Sequence, residues 1–244
     1  MNASAVRLLL ASASPARLAT LRSAGIEPDV AVSAVDEPAV LAAAQQEVRQ
    51  AGEEPLSAAE QVLVLARAKA EDVLTRQVLT PEPAGLRLRH RPRPDFVLGC
   101  DSMLEIDGPQ GVMVVGKPED ATAAITRWQA MRGRSGVLHS GHYLVRTADG
   151  EARGATSSTT VHFADLSDAE IEAYVATGEP LRVAGAFTVD GLGGPFVRGL
   201  EGDHHGVVGV SLPLLREMLG ELGTSLTELW SPAHRGASSH RRDL

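Results

Sequence analysis

From Val6 to Ala11 the chain is apolar but for Arg7 over one strand length, the pattern of a strand covered on both faces. Ser14 then suits a helix N-cap and Pro15 the first helical position, and Leu18, Leu21 and Ala24 recur at helical spacing until Gly25 stops the run. The predicted unit is strand, short loop and helix start, whose unpaired N–H groups face an anion. An export signal over Val6 to Ala13 is the competing reading, but that run is short, interrupted by serine and carries one Arg. Arg17 lies in the first turn, where a cation opposes the macrodipole at a cost of about 0.3 to 1 kcal/mol. That placement suits a bound phosphate; a guanidinium turned to solvent is the alternative.

Glu27 to Val35 reads as the next strand, ending in Asp36 and Glu37 before Pro38 breaks it. Ser57 and Glu60 make a capping box, and Leu63, Ala66, Ala70, Val73 and Leu74 form an apolar stripe with Arg67 and Lys69 on its borders. Phe96 to Cys100 reads as a buried strand terminating at Asp101, and Met103 to Ile106 pairs with Val112 to Val115 as a hairpin closed by Gly116, Lys117 and Pro118. Ala121, Ala124, Ile125, Trp128 and Met131 mark a helix, and Val137 to Val145 and Thr159 to Phe163 mark strands. A second capping box, Ser167 with Glu170, opens a helix that stops at Gly178; residues 184 to 210 are Gly-rich, and Ser211 with Pro213 starts a last helix through Leu219.

Residues 80 to 95 hold four prolines and four arginines without periodicity and read as a loop inserted into the domain, and 231 to 244 read as a tail outside the fold. Residues 1 to 230 therefore form one α/β domain. At 244 residues and 43% hydrophobic, the chain can build one large domain or two lobes sharing a sheet.

Composition narrows the functional classes. A net charge of -8 argues against a general nucleic-acid binder while leaving room for a small anion in a local basic pocket. Cys100 is the only cysteine, so no internal disulfide forms, and its apolar neighbours mark a buried hydrophobe rather than a nucleophile. No stretch reaches the roughly 18 to 20 apolar residues of a membrane span. A soluble, cytoplasmic protein with no membrane contact is expected. His139 and His142 stand three apart on a strand, so they face opposite sides and do not share a zinc ion.

The residues that carry chemistry are cations at Arg17, Lys69 and Lys117 and carboxylates at Asp36, Glu37 and Asp101. Most fall at predicted strand ends or element starts, where open α/β sheets place their ligand crevices. Carboxylates that hold a divalent cation and cations that neutralise phosphate make a triphosphate site with water as nucleophile. For each residue a solvated surface position is the alternative.

Nine segments in order resemble the Maf family of nucleoside triphosphate pyrophosphatases: LASASPAR, VDE at 35 to 37, ARAKA at 66 to 70, GCDS at 99 to 102, GKPED at 116 to 120, MRGR at 131 to 134, AEIEAYVATGEP, AGAFTVDG at 184 to 191 and EGDHHGVVGVSLPLL. The resemblance implies a long twisted mixed sheet with flanking helices in two lobes around a cleft, similar to inosine-triphosphate pyrophosphatases. It implies cleavage between the α- and β-phosphates, giving a nucleoside monophosphate and pyrophosphate with Mg²⁺ or Mn²⁺. By motif position Asp101 matches the catalytic aspartate, Glu37 and Asp101 the metal carboxylates, and Ser14, Arg17, Lys69 and Lys117 the phosphate-facing set. The chain departs from the family at Ala16, where an arginine is usual, at Ser102 for Thr and at Asp190 for Gln, three positions tied to base choice. Val183 and Gly136 replace a usual Lys and His. The family is compatible with a homodimer and has a historical link to septum formation. A non-catalytic nucleotide-binding regulator of cell division, in contact with the division machinery, is therefore the rival reading, and nucleotidyl transfer to a sugar phosphate is a second enzymatic one.

Overall fold

The computed structural model describes residues 6–79, 93–108 and 111–234. Most of the expected 80 to 95 loop and the tail beyond His234 lie outside the described residues. Ser231 to His234 form a turn, with the Ser231 amide donating to the Gly25 carbonyl at 2.8 Å.

The chain begins as anticipated. β1 (Leu8–Ala11) is buried along its length, and α1 (Pro15–Ser23) starts at Ser14, whose Oγ accepts from the Arg17 amide at 3.4 Å. β2 (Asp29–Val30) is only two residues long. The long strand expected over 27 to 35 is therefore corrected, and so is the end at Pro38: α2 (Glu37–Ala51) starts there, capped by Asp36 Oδ1, which accepts from the Ala39 amide at 3.1 Å. Pro38 fits because a helix leaves its first amides unpaired. α3 (Ala58–Val73) opens on the Ser57–Glu60 capping box and runs on into a π-helical turn, Leu74–Leu79.

β3 (Phe96–Gly108) and β4 (Gly111–Val115) make the hairpin, followed by α4 (Ala121–Met131), β5 (Ser135–Arg146), β6 (Ala152–Phe163) and α5 (Asp168–Ala176). The Gly-rich segment holds two elements that its composition hides, β7 (Val197–Glu201) and α6 (His204–Val208). α7 (Leu212–Glu221) starts at Ser211 as expected.

The strands form one seven-stranded sheet ordered β2-β1-β3-β5-β6-β7, with β4 also paired to β3. β1 runs parallel to β2 and β3 while the remaining pairs are antiparallel, so the sheet is mixed and flanked by helices. β1 leaves β3 at the Ala11–Gly99 pair, and β4 joins the same edge only at Leu104–Val115. Between them the edge of β3 from Cys100 to Met103 has no strand partner among the described residues.

That gap divides the apolar interior. One cluster, with Leu10, Leu98, Cys100, Leu144 and Met218, packs α1 and α7 on one face near β1. Another, around Trp128, Phe163, Ile171 and Tyr174, packs α4 and α5 beyond the gap. The opposite face near β1 is covered by α3. Two glycines allow that cover: a Cβ on Gly99 would lie 2.0 Å from the Ala66 carbonyl oxygen, and one on Gly141 2.3 Å from that of Val62. The helix backbone thus lies directly on β3 and β5.

Candidate active site

Asp101 sits in the middle of β3, inside the unpaired gap, rather than at a strand end as the apolar run suggested. The hydrogen bonding of β3 to β5 continues through it, pairing Asp101 with Gly141, so the strand does not stop where its apolar run does. Its side chain points to the face that α3 covers.

Lys69 comes from α3, and the structure corrects its border position. It stands three residues after Ala66 and four before Val73, both fully buried, so it shares the stripe pressed onto the sheet. Its side chain is 11% exposed, and its Nζ lies 2.5 Å from Asp101 Oδ1 and 2.7 Å from Glu37 Oε1. Glu37 reaches this point from the first turn of α2. Two carboxylates from elements 64 residues apart in sequence, at 37 and 101, converge on one cation. Burial pushes the Asp101 carboxyl above the ordinary range, against the pull of the Lys69 ammonium and the Arg17 guanidinium. Asp36 does not join them, because its carboxylate caps α2.

Arg17 approaches β3 from the other side. It donates from Nη1 to the Cys100 carbonyl (2.8 Å) and to Ser12 Oγ (3.0 Å), from Nη2 to Ser102 Oγ (3.1 Å), and from Nε to the Gly209 carbonyl (3.1 Å). The guanidinium therefore fills part of the gap in the sheet edge. This gives the first-turn cation a structural reason that the sequence alone left between phosphate and solvent. Ser12, which sequence reading passed over, also accepts from the Ser14 amide at 3.2 Å. Ser14 is half-buried and its hydroxyl serves as the N-cap of α1, whose first turn carries no acidic residue.

The remaining candidates are more dispersed. Lys117 is exposed just past β4, and its neighbour Gly116 accepts at its carbonyl from Arg127 Nη1 (2.7 Å) and the Gly185 amide (3.0 Å). Ser102 alternates to the face away from Asp101, where its Oγ lies 2.7 Å from Ser140 Oγ. Ala16 lies half-buried in the first turn of α1. Asp190 is exposed on a loop gathered by Glu179, whose carboxylate accepts from Thr188 Oγ1 (2.6 Å), Tyr174 OH (3.0 Å) and the Gly193 amide (3.1 Å).

A divalent cation fits this donor set. Hard oxygen ligands from one or two carboxylates, completed by substrate phosphates, suit Mg²⁺. Glu37 and Asp101 already hold a cationic group, the Lys69 ammonium, between them.

Comparison with known proteins agrees with the ordered motifs. The family described as Maf-like protein matches residues 7–222. The chain belongs to the Maf family. A nucleoside triphosphate pyrophosphatase of Salinispora tropica is 54% identical over 238 residues, covering 96% of this chain and 91% of the relative. Proteins of the same name from Leifsonia xyli and Streptomyces coelicolor are 51% and 50% identical, covering 93% of this chain and 98% and 96% of their own lengths. This Maf protein thus aligns with those relatives over more than nine-tenths of either chain.

Proposed function

We propose that the protein is a nucleoside triphosphate pyrophosphatase that hydrolyses the α–β phosphoanhydride to a nucleoside monophosphate and pyrophosphate. The observation that carries this is the convergence of Glu37 and Asp101 on one cation at 2.7 and 2.5 Å, in a gap of the sheet edge bordered by the N-terminus of α1. The names of the relatives support the same activity.

In this reading Asp101 takes the proton from the attacking water. Burial makes its carboxylate a better proton acceptor than a solvated aspartate, which moves its basicity toward the working pH. The Lys69 ammonium keeps that carboxylate oriented and is near enough to offset negative charge that develops on the phosphates. The α1 amides, Ser14 and Lys117 face the polyphosphate, and Arg17 holds the gap in shape through the Cys100 and Gly209 carbonyls. A divalent cation bound by Glu37 and Asp101, Mg²⁺ or Mn²⁺, would neutralise phosphate oxygens and favour the pyrophosphate leaving group. Action in the cytoplasm is part of the same proposal; among the described residues no helix is long and apolar enough to cross a membrane.

The test is a panel of canonical and modified nucleoside triphosphates with Mg²⁺ or Mn²⁺, scored by pyrophosphate release. Monophosphate and pyrophosphate in equal amounts are expected. Tight nucleotide binding without turnover would instead favour the non-catalytic regulator.

A further inference from the structure

Past Asp101, the same face of the sheet carries polar groups that the hydrolytic step does not use. Residues 101, 103 and 105 of β3 point to one side by strand alternation. The register sets Met103 against His139 and Glu105 against Val137, and on β6 it sets His139 against Ser158 and Val137 against Thr160. The backbone of α3 reaches this face at Gly99 and Gly141. Farther along, the face opens onto a cavity of about 200 Å³ lined by Glu105, Ser135, Val137 and Thr160. That volume falls below the roughly 300 to 1,000 Å³ of whole-ligand pockets and suits a single ring system.

His139 is the anomaly on this face. It is only 8% exposed, and its Nδ1 lies 2.8 Å from Ser158 Oγ, yet its Nε2 is buried with no hydrogen-bond partner. The nearest charged group is Glu105 Oε2 at 3.8 Å, outside hydrogen-bond reach. An orphaned buried nitrogen costs about 1 to 3 kcal/mol, and the usual explanation is a missing ligand or solvent atom. The Glu105 carboxylate on the Nε2 side favours the tautomer with its hydrogen on Nε2 and Ser158 Oγ donating to Nδ1, so a neutral donor stands beside an anionic acceptor. Burial lowers the His139 pKa and keeps the ring in that neutral form at pH 7.

We propose, on the pyrophosphatase reading, that His139 Nε2 and the Glu105 carboxylate read the base of the substrate, gripping a hydrogen-bonding edge that sets an acceptor beside an N–H donor. His139 stands level with Met103, two residues from Asp101 and so roughly 7 Å along the strand, and Glu105 is roughly 13 Å away. That is the reach of one nucleoside from a phosphate held at Asp101. Ser102, by contrast, is turned to the other face and engaged by Arg17 and Ser140. Base discrimination therefore passes from that position to the pair across β3 and β5.

Binding separates this inference from the hydrolytic reading. The α,β-methylene triphosphates of four bases, and inorganic tripolyphosphate, are titrated into the wild type, Glu105→Gln and His139→Gln by calorimetry. Each variant is expected to bind the preferred nucleotide about tenfold more weakly, the worth of one good hydrogen bond, and tripolyphosphate as before. Equal weakening toward both ligands, no change toward either, or a wild type that binds nucleotide no better than tripolyphosphate overturns the proposal. Glu105 is 36% exposed in its side chain, so Glu105→Gln keeps its fold and melting temperature. Wild-type pyrophosphate release is scored separately: its absence sinks the hydrolytic reading, while the binding contrast decides the base reading.

Discussion

Lys69 shows how much one side chain decides here. Its ammonium neutralises two carboxylates at once, and Asp101 is 8% exposed, so removing the cation leaves buried negative charge without a partner. Lys69→Met should lower stability by about 3 kcal/mol, the lower end for breaking a buried pair. Added Mg²⁺ should recover more of the melting temperature in that variant than in the wild type. Equal shifts in both would show that Glu37 and Asp101 do not share a cation site. Asp101→Asn should abolish pyrophosphate release while nucleotide binding persists; turnover at the wild-type rate would remove Asp101 from catalysis. Asp101 must be ionised to accept a proton, so activity falls as the pH drops through its pKa. In the metal-free protein burial raises that pKa, so proton uptake by the wild type, read against Asp101→Asn without added metal, should be centred above the 3.8 of a free aspartate. Uptake centred at or below that value would contradict the environment described.

At the scale of elements, local chemistry made several pieces legible. The Ser57–Glu60 and Ser167–Glu170 boxes gave helix starts that hold to the residue. α2 went unread because its Asp36 cap and Pro38 look equally like the end of a strand, and its buried face is thin: none of its residues is fully buried. The contact that builds the site, α3 on β3 and β5, depends on Gly99 and Gly141. Gly99→Ala places a methyl 2.0 Å from the Ala66 carbonyl oxygen and should cost about 3 kcal/mol, the upper end of overpacking, with activity falling as Lys69 moves off Asp101. Gly220→Ala in α7, where a Cβ meets nothing within 4 Å, is the control and should be neutral or stabilising. Comparable urea midpoints for the two variants would refute the close approach of α3.

For the whole molecule, His142 ties the sheet to the C-terminal helix. Its Nε2 accepts from the Ser211 amide at 2.9 Å, so Nδ1 carries the hydrogen and donates to the Ser140 carbonyl at 2.9 Å. Burial, aided by the Arg17 charge, lowers its pKa from 6.5 to about 4. The unfolded chain therefore takes up a proton that the native state refuses. Stability from this group is fully present above pH 6.5 and is lost as the pH falls toward about 4, a loss of ~3 kcal/mol. Asp101, with its raised pKa, contributes in the opposite direction, so the comparison must be made between the wild type and His142→Gln. Denaturant unfolding at pH 7 and pH 4.5 should show a steeper loss for the wild type than for the variant. Parallel losses would mean that the ring is not held neutral.

Local pattern by itself determined that this is an α/β chain, where most of its helices begin, that Asp101 follows a buried strand segment, and which motifs appear in which order. Such signals lie within windows of a few residues, because capping, periodicity and turn chemistry act between near neighbours. Tertiary structure decided that β3 runs on past Asp101, that Lys69 turns inward to bridge Glu37 and Asp101, that Arg17 spends its hydrogen bonds on the gap in the sheet, and that His139 faces Glu105. Each of these is a contact across a strand register or between a helix and a sheet. Register depends on which distant segments pack together, and shifting it by one residue sends every side chain to the other face.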